Sequence, residues 1–313
     1  MNVKRFACFL FIFTLSLCAA FAQQVPDFNF NPPIAHPAYA EGKGSLIVID
    51  EAHHNFHTKD GRFSAFARLL QKDGYVVKSN TKAFSSKGLK GSKILVIANA
   101  IHISDTADWI VPNPSAFTTK EIEVVNKWVK DGGSLFFIAD HMPFPGAGEA
   151  LAKSFGFTFY NGFAVDTSFG LFPGSKKDLD YFERDKGTLA NHPVSNGRSA
   201  DEKVTKVATF TGQGFKIPGK AVSLFTFDKN YKILLPDTAW KFSQETPRFD
   251  LNGYSQGAVL QWGKGRVAVF GEAAMFSAQL AGTDKKPMGM NNPKANENAQ
   301  FLLNLIHWLD GKI

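Results

Sequence analysis

The chain has 313 residues and a formal net charge of +7, and its only cysteines, Cys8 and Cys18, lie near the N-terminus. Its basic residues are scattered and form no stripe, which argues against nucleic-acid binding. Beyond residue 22, no apolar run approaches the 18 residues typical of a membrane-spanning helix. We therefore expect the mature chain to have no transmembrane segment.

Residues 1–22 have the pattern of a cleaved signal peptide. Lys4 and Arg5 precede an apolar stretch at 6–19, and residues 20–22 read Ala-Phe-Ala, an A-x-A cleavage site. We expect export to the periplasm or the extracellular space. A mature chain starting at Gln23 would contain no cysteine, which excludes a disulfide, a thiolate metal site and a cysteine nucleophile.

From residue 44 onward, short apolar runs alternate with amphipathic segments. Before them, residues 23–43 contain four prolines and are expected to form an extended leader. The predicted elements up to residue 155 are strands at 45–50, 75–78, 93–98 and 134–139 and helices at 61–73, 118–131 and 147–155. Thr118 and Glu121 form a capping box for the second helix. This alternation predicts an α/β fold with a doubly wound, mostly parallel sheet.

The pattern changes at about residues 157–256, which are rich in Gly, Phe and Thr. We interpret this part as a β-rich insertion over the rim of the sheet, within a single domain of residues 44–313. Strands are expected near 204–210, 221–227 and 231–235. The sheet then resumes with a hairpin of strands at 258–262 and 266–270, and a last helix is expected at 294–309.

Four of the predicted sheet strands end in a polar residue. The four residues are Asp50, Asn99, Asp140 and Glu272. Ligands of parallel α/β sheets bind beyond the carboxyl ends of the strands, so these side chains are expected at one rim.

The predicted strand at 45–50 leads directly into the densest polar cluster of the chain. Asp50, Glu51 and His53 are candidates for general acid–base catalysis or for binding a divalent metal ion, although no H-E-x-x-H pattern is present. His54 and Asn55 are candidate ligand-binding residues, as is Asn99 at its own tip. The alternative interpretation is that Asp50 binds backbone amides and the histidines pack within the loop.

Asp140 and His141 follow the strand at 134–139, where many α/β enzymes carry their nucleophile. Neither serine nor cysteine occurs at this turn. His53 and Asp140 are the candidate metal ligands, and Glu272 is a further candidate catalytic carboxylate. Asn292 is a candidate ligand-binding residue, but capping of a helix that begins at Pro293 explains it more economically.

Several segments together resemble one superfamily. These are residues 50–53 (Asp-Glu-Ala-His), 132–141, 191–197 and 265–272. They are similar to the class I glutamine amidotransferase-like superfamily, in particular to an uncharacterised secreted bacterial branch related to trehalose-utilisation-like and GIFT domains. The resemblance implies a flavodoxin-like three-layer α/β/α sandwich. The family's catalytic cysteine is absent, so the resemblance does not imply amidotransferase activity.

Two functions follow from these observations. The first is a hydrolase, or a degenerate enzyme, with one polar pocket lined by Asp50, Glu51, His53, Asp140, His141 and Glu272. A divalent metal is a possible cofactor of such a site. The second is a non-catalytic module that binds a glycan, a small ligand or a protein through the same rim.

Overall fold

The computed structural model describes residues 24–175 and 179–313. The predicted signal peptide lies outside the described residues. Within them, every helix is too short or too polar to cross a membrane.

The described part of the chain contains the following elements in chain order. The strands are β1 (Val25–Pro26), β2 (Leu46–Asp50), β3 (Val76–Asn80), β4 (Ile94–Ala98), β5 (Ser134–Ile138), β6 (Phe163–Asp166), β7 (Asp180–Glu183), β8 (Lys206–Thr209), β9 (Val222–Thr226), β10 (Tyr231–Leu234), β11 (Arg248–Asp250), β12 (Ser255–Trp262), β13 (Gly265–Phe270), β14 (Ala278–Ala281) and β15 (Lys286–Gly289). The α-helices are α1 (Ser64–Lys72), α2 (Thr119–Lys130), α3 (Phe144–Ser154), α4 (Pro193–Asn196) and α5 (Asn298–Asp310).

A seven-stranded, mostly parallel sheet forms the centre of the fold, which confirms the predicted α/β class. Its strand order is β3-β2-β4-β5-β13-β12-β9. The first five strands are parallel to one another, whereas β12 and β9 are antiparallel to their neighbours. All the strands that end in the predicted polar tips are parallel, so their carboxyl ends lie at the same edge.

Both faces of the sheet are buried, as the unbroken apolar strands predict. Alternate strand residues belong to two hydrophobic clusters. One cluster contains Ile49 and Val96 together with apolar residues of α1 and α5. The other contains Val48 and Leu95 together with apolar residues of α2 and α3. Because side chains alternate between the faces of a strand, the helices cover the sheet from two sides.

Residues 157–256, predicted to be β-rich, contribute one strand to the central sheet and form two smaller sheets. The predicted strands near 204–210, 221–227 and 231–235 are present as β8, β9 and β10. β10 pairs with β6 and β11 in a small sheet, and β7 pairs with β8. β9, however, forms the edge of the central sheet beside β12.

The leader is bound to the domain along its length. β1 pairs with β14, and the Ala38 amide donates to Asp73 Oδ1 at 2.7 Å. The Tyr39 hydroxyl donates to Asp310 Oδ2 at 2.5 Å. Residues 24–43 therefore form part of the packed structure, and β1 reaches the edge where the candidate site lies.

Three helices begin at other residues than the sequence pattern predicts, and α1 begins at Ser64, three residues after the expected start. α3 begins at Phe144, three residues before the expected start. α5 begins at Asn298, because residues 293–295 form a separate 3₁₀ turn. Asn292 caps this turn by accepting a hydrogen bond from the Lys294 amide at 2.9 Å.

Candidate functional site

A cleft of about 560 Å³ lies at the carboxyl edge of the parallel strands. Its walls come from the loop after β2, the loop after β4, and the leader. The lining residues are Gln24, Pro26, His54, Asn55, Phe56, Thr58, Gly61, Arg62, Ile101, Thr106 and Trp109. This volume falls within the usual range of small-molecule sites.

Aromatic side chains form one wall of the cleft. The rings of Phe56 and Trp109 meet edge to face, with centroids 5.7 Å apart. Phe144 supports both rings from the interior, at 5.7 Å from Phe56 and 5.4 Å from Trp109. The wall is therefore held in place by packing against Phe144 of α3.

Arg62 supplies the permanent charge of the cleft. Its guanidinium lies 3.8 Å from the centroid of the Phe56 ring, and Nη1 donates to the Phe56 carbonyl at 3.3 Å. Burial lowers the pKa of Arg62 from its usual value. None of the described lining residues is an aspartate or a glutamate.

The predicted residues Asp50 and His53 form a buried hydrogen-bonded chain with Glu121. His53 Nδ1 lies 2.8 Å from Asp50 Oδ2, and Nε2 lies 2.9 Å from Glu121 Oε1. Both carboxylates are acceptors, so both bonds require a proton on each ring nitrogen. Burial acts to lower the pKa of His53, but the two carboxylates outweigh it, and the pKa is raised. His53 is thus a charged link between β2 and α2.

Glu51, Asn55 and His54 serve different purposes in the same loop. Glu51 Oε1 accepts hydrogen bonds from the Lys59 amide and the Ser79 hydroxyl, both at 2.8 Å. Asn55 Oδ1 accepts from the His53 amide at 3.0 Å. His54 is exposed, has a positive φ of 49° and lines the cleft. Of the first cluster's predicted residues, His54 and Asn55 therefore reach the cleft, whereas Glu51 holds the loop.

Asn99 connects the tips of β4 and β5. Its Oδ1 accepts from the Asp140 amide at 3.0 Å, which leaves Nδ2 to donate to His57 Nδ1 at 3.3 Å. His57 therefore carries its proton on Nε2. Burial, with help from the nearby Arg62 and His141, lowers the pKa of His57 to about 3. Asn99 is an internal connector, away from the lining of the cleft.

Asp140 and Glu272 lie next to each other and are both buried. Asp140 accepts from the amides of His141 at 2.8 Å and Ala273 at 3.2 Å. Glu272 accepts from the amides of Ala274 at 2.7 Å and Met275 at 2.8 Å. Burial and the Asp140 charge raise the pKa of Glu272 well above its usual value. Asp140 therefore holds the turn after β13 to the tip of β5, and Glu272 closes that turn through its own backbone amides.

His141 is half-buried among aromatic rings. It stacks on Phe163 and meets the edge of Trp240, each with a centroid distance of 4.7 Å. Trp109 of the cleft wall lies 6.0 Å away. His141 Nδ1 lies 2.7 Å from the Met142 carbonyl oxygen, which can only accept, so Nδ1 carries a proton. The lone pair of a neutral His141 is therefore on Nε2.

The six predicted catalytic residues share one edge of the sheet but are divided among separate groups of contacts. The residues that line the cleft are a different set, as the lining residues given above show. Among the described residues, no group of three or more His, Cys, Asp or Glu side chains is placed to hold a metal ion. The candidate metal ligands His53 and Asp140 each have other hydrogen-bond partners. Asn292 caps its turn, as the alternative interpretation predicted.

Sequence reasoning missed Arg62, Trp109 and Glu121 as residues of this edge. Glu121 was visible only as part of a capping box, 68 residues after His53. Arg62 and Trp109 lie in loops, and no spacing in the sequence connects them. The position of Arg62 in the sequence, between the polar cluster and the first buried residues of α1, is a signal that could have identified it as a residue of this edge.

No protein-family model and no curated protein matches the chain. Among solved structures, it is similar to the N-terminal domain of mmIFT52, with 17% identity, a TM-score of 0.57, and coverage of 84% of this chain and 97% of that domain. It is also similar to the cytoplasmic protein STM1381 from Salmonella typhimurium LT2, with 13% identity, a TM-score of 0.50, and coverage of 85% and 99%. At these identities the similarities concern the fold alone.

A ThuA-like protein from Bacteroides uniformis is also similar, with 11% identity, a TM-score of 0.43, and coverage of 89% of this chain and 94% of that protein. That TM-score is too low to support an argument. The two higher scores agree with the α/β class of the chain. These similarities do not extend to a reaction, a ligand or a location of the protein.

Proposed function

We propose that this protein is an exported ligand-binding module that recognises a small saccharide in the cleft between the loops after β2 and β4. The observation that carries this proposal is the aromatic wall of Phe56 and Trp109 beside a cleft of about 560 Å³. Aromatic faces with a few polar groups are the usual lining of small-molecule sites. Thr58, Thr106 and Gln24 supply groups that can hydrogen-bond to sugar hydroxyls.

The internal contacts of the predicted catalytic carboxylates favour binding over catalysis. Asp50, Asp140 and Glu272 are each at most 8% exposed and accept hydrogen bonds from groups of the protein. A general acid or base needs to reach the proton that it transfers. The most direct purpose of these three side chains is to hold the loops that shape the cleft.

The fold supports a place within the amidotransferase-like superfamily as part of the same proposal. The five parallel strands follow the order 2-1-3-4-5 when numbered along the chain, which is the flavodoxin-like order. With helices packed on two sides, we infer a flavodoxin-like three-layer sandwich. In such sheets the carboxyl edge is where ligands bind, and the cleft lies at that edge.

Isothermal titration calorimetry of the mature protein with a panel of neutral and acidic oligosaccharides tests the binding function. We expect one class of saccharide to bind, and Trp109→Ala to weaken its binding about tenfold or more. Trp262→Ala is the matched control, because Trp262 packs against Phe155 and does not line the cleft. Absence of binding by every saccharide, or equal losses in the two variants, would contradict the proposal.

A hydrolase is the second candidate, and His141 is the observation that favours it. Its Nδ1 is engaged by the Met142 carbonyl, and its Nε2 can accept a proton. Its ring centroid lies 6.0 Å from that of Trp109, at the same edge of the sheet as the cleft. Release of reducing ends from any saccharide that binds, lost in His141→Gln while binding persists, would establish this second function. Binding without turnover would leave the first.

A further inference from the structure

We propose that the ligand of the cleft is an anionic saccharide, and that Arg62 binds its carboxylate or sulfate group. This inference rests on the proposed binding function and specifies its ligand class. It comes from three features of the described cleft: its charge, the unfilled hydrogen-bonding capacity of Arg62, and the position of Arg62 beside the aromatic wall.

The charge of the cleft is one-sided. Arg62 is its permanently charged residue, and the described lining contains no carboxylate. The nearby Lys59 and Asp60 pair with each other at 2.5 Å. In the part of the chain that the structure describes, no ion pair joins Arg62 to an aspartate or glutamate. A cation at the wall of a cleft without a protein counter-charge favours an anionic ligand.

The guanidinium also has hydrogen-bonding capacity to spare. Its bond from Nη1 to the Phe56 carbonyl is the single hydrogen bond that the described residues provide, and Nε is buried without a partner, so a ligand in the cleft would use the Nη donors. Arginine presents a planar set of N–H donors that matches the two oxygens of a carboxylate or the oxygens of a sulfate. The Phe56 ring, 3.8 Å away, restricts the guanidinium and so prepares it for such a ligand.

The position of Arg62 fits an anion attached to a ring. The guanidinium stacks on Phe56, and Phe56 adjoins Trp109, so charge and aromatic wall are contiguous. A sugar ring against Trp109 would present a substituent toward Arg62. Uronic acids and sulfated sugars share this combination of an apolar ring face with an oxyanion, and neutral sugars lack the oxyanion.

Calorimetry with two matched probe pairs tests the inference. The first pair is tetragalacturonate and its methyl ester, and the second is a sulfated disaccharide and its unsulfated parent. We expect the anionic member of one pair to bind about tenfold or more tightly than its neutral partner. The pair that shows this difference identifies the oxyanion as carboxylate or sulfate.

Arg62→Gln should remove the preference, and Lys59→Gln is its control, since it removes the same charge nearby but outside the lining. We expect a tenfold or greater loss for the anionic probe in Arg62→Gln and less than about a twofold change in Lys59→Gln. If Arg62→Gln does not fold, the wild-type protein still tests the point. Its affinity for the anionic probe should fall with added NaCl more steeply than its affinity for the neutral partner.

Equal affinities within both pairs, or equal effects of the two substitutions, would overturn the inference. If only neutral saccharides bind, the inference is overturned while the binding function stands. If no saccharide binds at all, the binding function itself fails. The two failures are therefore distinguishable in one set of titrations.

Discussion

Glu121 accepts a hydrogen bond from His53 Nε2 at 2.9 Å while it also caps its own helix. Its other carboxylate oxygen accepts from the amide and the hydroxyl of Thr118, at 3.0 and 2.7 Å. The Phe84 amide adds a further bond at 3.0 Å. One side chain thus joins the start of α2 to the loop after β2 and to the segment after β3.

The first prediction is that Glu121→Gln destabilises the protein. Glutamine has one acceptor oxygen, whereas the donors of Thr118, Phe84 and His53 now bond to two carboxylate oxygens. The substitution also removes the charged hydrogen bond to His53. We expect the free energy of unfolding to fall by about 1–3 kcal/mol, measured by urea denaturation near pH 6. Glu123→Gln, on the exposed side of the same helix, is the control and should have little effect. Equal losses in the two variants would contradict this account.

The second prediction is that the cost of Glu121→Gln depends on pH. Burial acts to raise the pKa of Glu121, but hydrogen bonds from Thr118, His53 and Phe84 lower it from 4.5 to about 2. Its contribution is therefore complete above pH 4.5 and is lost as the pH falls toward 2. The raised pKa of His53 has the opposite sign: its contribution is complete below pH 6.5 and is lost as the pH rises through the folded-state value.

The difference in unfolding free energy between wild type and Glu121→Gln should consequently be largest between pH 4.5 and 6.5. It should decline on both sides of this window. Urea denaturation of both proteins across the range measures it. A difference that stays constant, or that grows toward pH 2, would show that the His53–Glu121 pair does not titrate as a charged pair.

The third prediction concerns His57, whose pKa is lowered to about 3 by burial and by the charges of Arg62 and His141. Between pH 6.5 and 3 the unfolded chain binds a proton here that the folded chain does not. Stability must therefore fall as the pH falls through this window, by up to about 1.4 kcal/mol per pH unit. His57→Gln should lose less stability than wild type between neutral pH and pH 4.

The control for this measurement is His36→Gln, which removes an exposed histidine of the leader. It should follow the wild-type pH dependence. NMR of the imidazole of His57 provides an independent check, because the ring should stay neutral at pH 5. A protonated His57 at that pH would contradict the prediction even if the protein remained folded.

Between residues 44 and 155 the order of strands and helices could be predicted from sequence because most strands of the parallel sheet carry their own signal. Residues 94–98 and 135–138 are apolar without interruption, as burial on both faces requires. Thr118 and Glu121 likewise encode the start of α2 locally, and the capping box is present. These features depend on neighbours in the chain, which the sequence displays directly.

The site was less predictable because its contacts are long-range. A polar residue at a strand tip can face a cleft or hold a loop, and Asp140 does the second through the Ala273 amide, 133 residues away. Arg62 reaches the cleft only because the loop after β2 folds back on Phe56. Tertiary packing determines whether a polar residue faces the cleft or holds a loop, and the spacing of residues in the sequence does not indicate which it does.

The last prediction decides what Asp140 does. If its charge serves an open polar pocket, Asp140→Asn should leave stability unchanged or raise it by relieving repulsion with Glu272. The contacts indicate the opposite result, because Asp140 accepts from two backbone amides, those of His141 and Ala273, and asparagine retains one acceptor oxygen. Burial and the nearby Asp140 charge raise the pKa of Glu272, so part of the repulsion falls on Glu272.

We therefore expect Asp140→Asn to lower the free energy of unfolding by about 1–3 kcal/mol, the cost of a buried donor left without an acceptor. Thermal unfolding of the purified protein measures it. Asp131→Asn is the control, since that carboxylate is exposed and pairs with Lys127 at the surface. A midpoint for Asp140→Asn at or above that of wild type would return Asp140 to the candidate catalytic residues, because repulsion would then outweigh its hydrogen bonds to the loop.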